Sequence, residues 1–144
     1  MINENRAIEL LKQAKIARKN AYAPYSHYHV GAALLAKNGK TYLGCNIENA
    51  SFSPTCCAER VAVFKAISEG ATEFEAIAVA GGHGQNTEPF CSPCGVCRQV
   101  LSEFCDDDFI ILLENRDGTP QSFLLGELLP ARFRLSQNNP SEEL

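Results

Sequence analysis

The sequence predicts an α/β protein: a single three-layer α/β/α domain around a mixed five-stranded sheet. Three observations lead there. Helical periodicity alternates with strand-length apolar runs, two of the strand-to-strand connections are long and helical, and another is too short to cross a sheet. The 144 residues, 45% hydrophobic and 21% charged, suit one core spanning 1–144, with a polar C-terminal tail from about residue 136. A chain of this size buries roughly two thirds of its unfolded surface and needs no disulfide staples.

Ala7, Leu10 or Leu11, Ala14, Ala17 and Ala21 recur at helical spacing between lysines and arginines, predicting an amphipathic helix over about 5–20. It ends before Ala23-Pro24, because a residue preceding proline avoids the α region. Val30 to Ala36 is an apolar run of strand length, Asn38-Gly39 is a two-residue hairpin signal, and Thr41 to Asn46 returns as a second strand. The polar, turn-rich stretch 46–55 leads into a helical pattern at about 56–69 closed by Gly70. Glu75 to Ala80 reads as a third strand and 81–92 as a loop. A helix at about 94–104 follows Pro93, and Phe109 to Leu113 is a strongly apolar strand.

The link from Asn115 to Thr119 is too short for a crossover, so the last strand, near Gln121 to Leu124, should run antiparallel to its predecessor. The helical connections joining strands two to three and three to four are each long enough for a right-handed parallel crossover. Repeats, low-complexity tracts and linkers are absent from the sequence, and Asn138 to Leu144 is expected to fray.

Thirteen Lys and Arg against seventeen Asp and Glu give a net charge of −4 with no basic run, which argues against nucleic-acid or anionic-membrane binding. No apolar stretch reaches the roughly 18 to 20 residues of a membrane span. The acidic start, Met1-Ile2-Asn3-Glu4-Asn5-Arg6, does not resemble an export signal, so a cytoplasmic location is expected. There an odd set of seven cysteines (45, 56, 57, 91, 94, 97 and 105) argues against a disulfide framework and leaves metal binding, catalysis or burial.

Two helix starts carry the chemistry: Cys57-Ala58-Glu59 and Pro93-Cys94-Gly95-Val96-Cys97. Cys-x-x-Cys at a helix start is a zinc half-site, and Cys57 can add a third thiolate from the neighbouring helix. Three protein ligands leave one tetrahedral position open, the pattern of catalytic zinc. Glu59 is off the face of Cys57, but first-turn side chains lean toward the helix start, so its carboxylate can reach the open position. Arg60, at i+3, shares that face. Three thiolates around a divalent ion leave one excess negative charge, which Arg60 and the two helix N-termini would offset. A Cys91, Cys94, Cys97 trio, or a four-thiolate structural site that includes Cys56 or Cys91, stays open as an alternative, since neither needs Glu59.

At these residues the sequence resembles the zinc-dependent cytidine deaminases of the small, one-domain, homotetrameric type, known by Cys-or-His-x-Glu followed by Pro-Cys-x-x-Cys. The resemblance continues through Ala23-Pro24-Tyr25-Ser26, Val30-Gly31-Ala32-Ala33-Leu34, Gly44-Cys45-Asn46-Ile47-Glu48-Asn49-Ala50 and Glu127-Leu128-Leu129-Pro130, covering about residues 8–133. It implies a cytidine deaminase-like fold and one Zn2+ per chain on Cys57, Cys94 and Cys97, with Glu59 as the proton shuttle. It further implies Asn46 and Glu48 on the ribose hydroxyls and Ala58 in substrate binding. Tyr28 falls where a phenylalanine usually packs near the pyrimidine, and Phe133 where an aromatic from an adjacent subunit covers the base. Phe52 replaces a common tyrosine. The implied reaction is hydrolytic deamination of cytidine and 2′-deoxycytidine with release of ammonia, in a homotetramer with shared pockets.

Duller readings accompany each residue. Cys45 and Cys105 read as small core residues, His27, His29 and His83 as surface or loop histidines, and Asn46 and Glu48 locally as turn residues. Other functional readings are deamination of a cytosine-bearing antibiotic, editing of single-stranded nucleic acid, and a zinc-stabilised binding module. Net charge −4 and the absence of tryptophan fit the editing role poorly.

Overall fold

The computed structural model describes residues 2–135 and confirms the three-layer α/β domain. The polar tail from about 136 lies outside the described residues. Helix α1 (Glu4–Ala17) starts at Asn3, whose side chain accepts the Arg6 N–H at 2.8 Å, and buries Ala7, Leu10, Leu11, Ala14 and Ala17. Its final turn tightens into a 3₁₀ turn at Arg18–Asn20, so the regular helix stops short of the expected end.

Strands β1 (Tyr28–Ala36) and β2 (Thr41–Cys45) form an antiparallel hairpin. The two-residue turn expected at Asn38-Gly39 is not formed, because only Gly39 of the pair has a positive φ, 87°. Instead the Asn38 side chain accepts the Lys40 N–H at 2.8 Å, and residues 37–40 make a longer loop.

Helix α2 (Ala58–Ser68) leads to β3 (Phe74–His83), and α3 (Gly95–Phe104) to β4 (Ile110–Glu114) and β5 (Pro120–Leu124). The sheet order is β2-β1-β3-β4-β5; β3 and β4 are parallel and all other neighbours antiparallel. The connection from β2 to β3 therefore passes over β1, and the β4–β5 pairing is the antiparallel one the short link requires. β3 extends three residues into the expected loop, since Gly81, Gly82 and His83 pair with Val30, His29 and Tyr28. Helix α4 (Leu125–Leu128) was not foreseen; four residues are too few to show a helical period.

Alternation along the strands divides the core. Ala33, Leu35, Ala76 and Ala78 pack under α1, while Ala32, Leu34, Ile77 and Val79 pack under the α2 and α3 face. Among the described residues no helix is long and apolar enough to cross a membrane.

One close approach sets the height of α2 above the sheet. A Cβ on Gly44 would stand 2.3 Å from the Ala58 carbonyl oxygen and 2.6 Å from the Ala62 nitrogen, so the first turn of α2 lies directly on β2. Gly44→Ala is expected to lower stability by about 1–3 kcal/mol, as overpacking against backbone does, and to reduce bound zinc below one per chain. Denaturant unfolding with metal analysis checks this; an unchanged midpoint with full zinc would contradict the close approach.

Candidate active site

The two helices present their starts to the same point. Cys57 occupies the position just before α2 and Cys94 the one just before α3, both with extended backbone (ψ 155° and 167°), while Cys97 is buried in the first turn of α3. The Cys57 and Cys94 sulfurs are 3.8 Å apart, and the three sulfurs lie within 4.8 Å of one another. Zinc–sulfur bonds of about 2.3 Å place tetrahedral sulfurs about 3.8 Å apart, so the cluster has the dimensions of a zinc site. Cys56 and Cys91 are outside it, which leaves the four-thiolate alternative without its fourth sulfur among the described residues.

Charge supports the same assignment. An Arg60 guanidinium N–H donates to the Cys57 sulfur at 3.3 Å. The Cys57 thiol is held well below its usual range, first by the Cys97 thiol and then by Arg60 and Cys94, while Cys97 is pushed up by the neighbouring Cys57 and by burial. One sulfur ionises readily and the next resists, because like charges this close repel. A divalent cation removes that conflict, and the positive ends of α2 and α3 add to it.

Glu59 stands beside the cluster, its Oε2 3.8 Å from the Cys97 sulfur. It is 4% exposed, and burial pushes its carboxyl up to about 7. A carboxyl poised near neutrality next to an open metal position is suited to taking and returning a proton. Ala58 is fully buried, with its carbonyl over Gly44.

The segment after β2 runs alongside the Cys57 approach, because Ile47 and Cys56 exchange backbone hydrogen bonds, both 2.9 Å. Asn46 is buried; its Oδ1 accepts the Val30 N–H and its Nδ2 donates to the Tyr28 carbonyl, each at 2.8 Å. Glu48 Oε1 accepts the Tyr25 and Ser26 N–H groups at 2.9 and 3.1 Å, and its carboxyl is held low by Ser26. Both residues thus also serve the local turns. Phe52, with φ 57°, packs edge-on to Tyr25 at 6.0 Å. Phe133 is 67% exposed, and its carbonyl accepts from Gln99 Nε2 at 3.1 Å.

Several expectations change. Cys105 is a core residue, but Cys45 is only half-buried, on the edge strand β2. His29 is neither surface nor loop: it lies within β1, partly buried, with Nδ1 lacking a hydrogen-bond partner. Arg98, directly after Cys97 and without a role in the sequence reading, latches the turn before Cys94. It donates to the Pro93 carbonyl and the Ser92 hydroxyl at 2.8 Å each and to the Leu128 carbonyl at 2.6 Å.

Fold and site together define a protein built to hold catalytic zinc. The chain belongs to the cytidine and deoxycytidylate deaminase family, whose zinc-binding region matches residues 4–113. A cytidine deaminase of Sporosarcina psychrophila is 48% identical over 125 residues, covering 87% of this chain and 89% of the relative. The crystal structure of cytidine deaminase from Burkholderia pseudomallei superposes with a TM-score of 0.77 at 46% identity, covering 87% of this chain and 97% of that one. That from Mycobacterium tuberculosis gives 0.75 at 37% identity, covering 94% and 100%.

Cys57→Ala, Cys94→Ala and Cys97→Ala are each expected to lose bound zinc, whereas Cys56→Ser and Cys91→Ser keep about one zinc per chain. Elemental analysis of the purified variants decides it; zinc loss in either of the latter two would add a ligand to the site.

Proposed function

We propose that this chain deaminates cytidine and 2′-deoxycytidine hydrolytically, consuming one water and releasing uridine or 2′-deoxyuridine and ammonia. The observation that carries the reading is a buried Glu59 carboxyl beside three converging thiols. Zinc on those thiolates would supply Lewis acidity that makes a water nucleophilic near neutral pH.

Glu59 does the proton work. It accepts a proton from the attacking water and delivers it to ring N3 so that C4 becomes electrophilic, then takes the remaining proton from the new C4 hydroxyl and passes it to the amine as the C4–N bond breaks. Arg60 offsets the excess thiolate charge. Asn46 and Glu48 hold the ribose hydroxyls; Asn46 keeps a second amide N–H beyond the one bonded to Tyr28. Tyr28 and Ala58 border the base.

Assembly completes the pocket: Phe133 of one subunit covers the base in another, within a homotetramer. Its 67% exposure, and the Arg134 bonds that tie this segment to the Ser102 and Cys105 carbonyls of the α3 end, support a ring projected away from its own core. The unpaired thiols of Cys45, Cys56, Cys91 and Cys105 suit a reducing cytoplasm.

Ammonia release is expected from both nucleosides, and none from either by the zinc-loaded protein would overturn the reading in favour of another amine substrate or a zinc-stabilised binding module. Glu59→Ala is expected to keep zinc while kcat falls by about 10²- to 10⁴-fold. Phe133→Ala is expected to raise KM, and a fully active monomer in sedimentation would refute the shared pocket.

A further inference from the structure

Helix α3 ends at Phe104, which leaves its last carbonyls without partners inside the helix. Glu103, Asp106, Asp107 and Asp108 add negative charge at the negative end of its dipole, and its last turn holds no lysine or arginine. The missing cations come from far along the chain. Arg132 donates to the Cys105 carbonyl at 2.6 Å. Arg134 donates twice to the Ser102 carbonyl, at 3.1 and 2.9 Å, and once to the Cys105 carbonyl at 2.9 Å. Arg132 also lies 3.2 Å from the Asp107 carboxylate and Arg134 3.5 Å from that of Asp106. Ser102 and Cys105 are buried, so their carbonyls need partners from the chain. A planar guanidinium with several donors can serve two carbonyls at once, where an ammonium is a single point charge.

Phe133 stands between these two anchors. Its own carbonyl accepts from Gln99 Nε2 at 3.1 Å, and the Leu128 carbonyl accepts from Arg98 at 2.6 Å, so the stretch 128–134 is pinned to α3 at four residues. What these bonds leave outside is the Phe133 ring, 67% exposed. Both neighbours of that ring commit their side chains to the end of α3, and its backbone is held as well, so the segment has little freedom to turn the ring elsewhere.

We infer that Arg132 and Arg134 are positioning residues for the reaction: anchored to the α3 end, they fix the direction in which Phe133 projects and so the aromatic cover that one copy of the chain supplies to the pyrimidine of another. This rests on the shared-pocket reading of Phe133. Neither arginine touches the base. Each acts through Phe133, in a subunit other than its own.

Kinetics with cytidine and calorimetry with uridine test the anchors, first in single variants and then in hybrids. Arg132→Ala and Arg134→Ala are each expected to raise KM for cytidine and Kd for uridine about fivefold with kcat changed less than twofold, the scale of one or two hydrogen bonds. In the Phe133→Ala background Arg134→Ala adds nothing. Subunits carrying Arg134→Ala are then co-expressed with an excess of Glu59→Ala subunits, whose own sites turn over slowly but whose anchors are intact. KM is expected to return to within about twofold of the unsubstituted protein, because each active site then borrows its neighbour's Phe133. A KM still raised in the hybrids, additivity with Phe133→Ala, an unchanged KM in both arginine variants, or a change confined to the thermal midpoint would overturn the anchors. The Arg134 side chain is 44% exposed and each substitution leaves the other arginine in place, so the variants fold. If the unsubstituted protein neither deaminates cytidine nor binds uridine, the functional reading fails instead. If it does both and Phe133→Ala leaves KM unchanged, the shared pocket fails and the anchors with it; if Phe133→Ala raises KM and the arginine variants do not, only the anchors fail.

Discussion

Everything at this site depends on the crowding of three sulfurs and a carboxyl where two helices begin. Without a cation the arrangement is in conflict: Cys57 ionises easily, Cys97 does not, and Glu59 is pushed toward neutrality by burial. A divalent ion held by the three thiolates would relieve the same crowding and supply the Lewis acidity the reaction needs. The helix N-termini point at the cluster and Arg60 donates to the Cys57 sulfur, so both would offset the excess negative charge of three thiolates around such an ion.

Holding the sulfurs together requires the rest of the fold to fix two helix origins. The parallel β3–β4 pair sets where α3 starts, and the crossover above β1 sets where α2 starts. Gly44 lets α2 lie on β2 without a Cβ between them, and Arg98 ties the turn before Cys94 to α4. Metal affinity and fold stability are therefore coupled through backbone placement as well as through the ligands themselves.

The substrate side shows how few residues have a single duty. Asn46 and Glu48 use their side chains to organise β1 and the Tyr25–Ser26 turn, so the groups proposed for the sugar are already held by hydrogen bonds within the chain. Such preorganisation reduces the ordering cost of binding. Tyr28 is similarly surrounded: its ring meets His83 edge-on and lies with the Cys91 sulfur over Gly81.

Much was legible in the amino-acid sequence, because its strongest signals are local. The helix-start cysteines, the Glu59 and Arg60 offsets, the apolar strand runs and the short β4–β5 link each depend on neighbours within a few residues, where spacing alone dictates geometry. Boundaries shifted where side-chain or cross-strand partners decided them: β3 lengthened because β1 offered pairing partners, and the Asn38-Gly39 turn lengthened as the Asn38 side chain accepted the Lys40 N–H. The sorting of the cysteines divides along the same line. The sequence by itself determined that Cys57, Cys94 and Cys97 begin two helices; only the tertiary structure decided that Cys56 and Cys91 stay out, that Cys45 lies half-open at a sheet edge, and that Cys91 closes over Gly81 beside Tyr28. Spacing along one chain carries no information about which side chains meet across a sheet, and it is those meetings that separate a ligand from its neighbour.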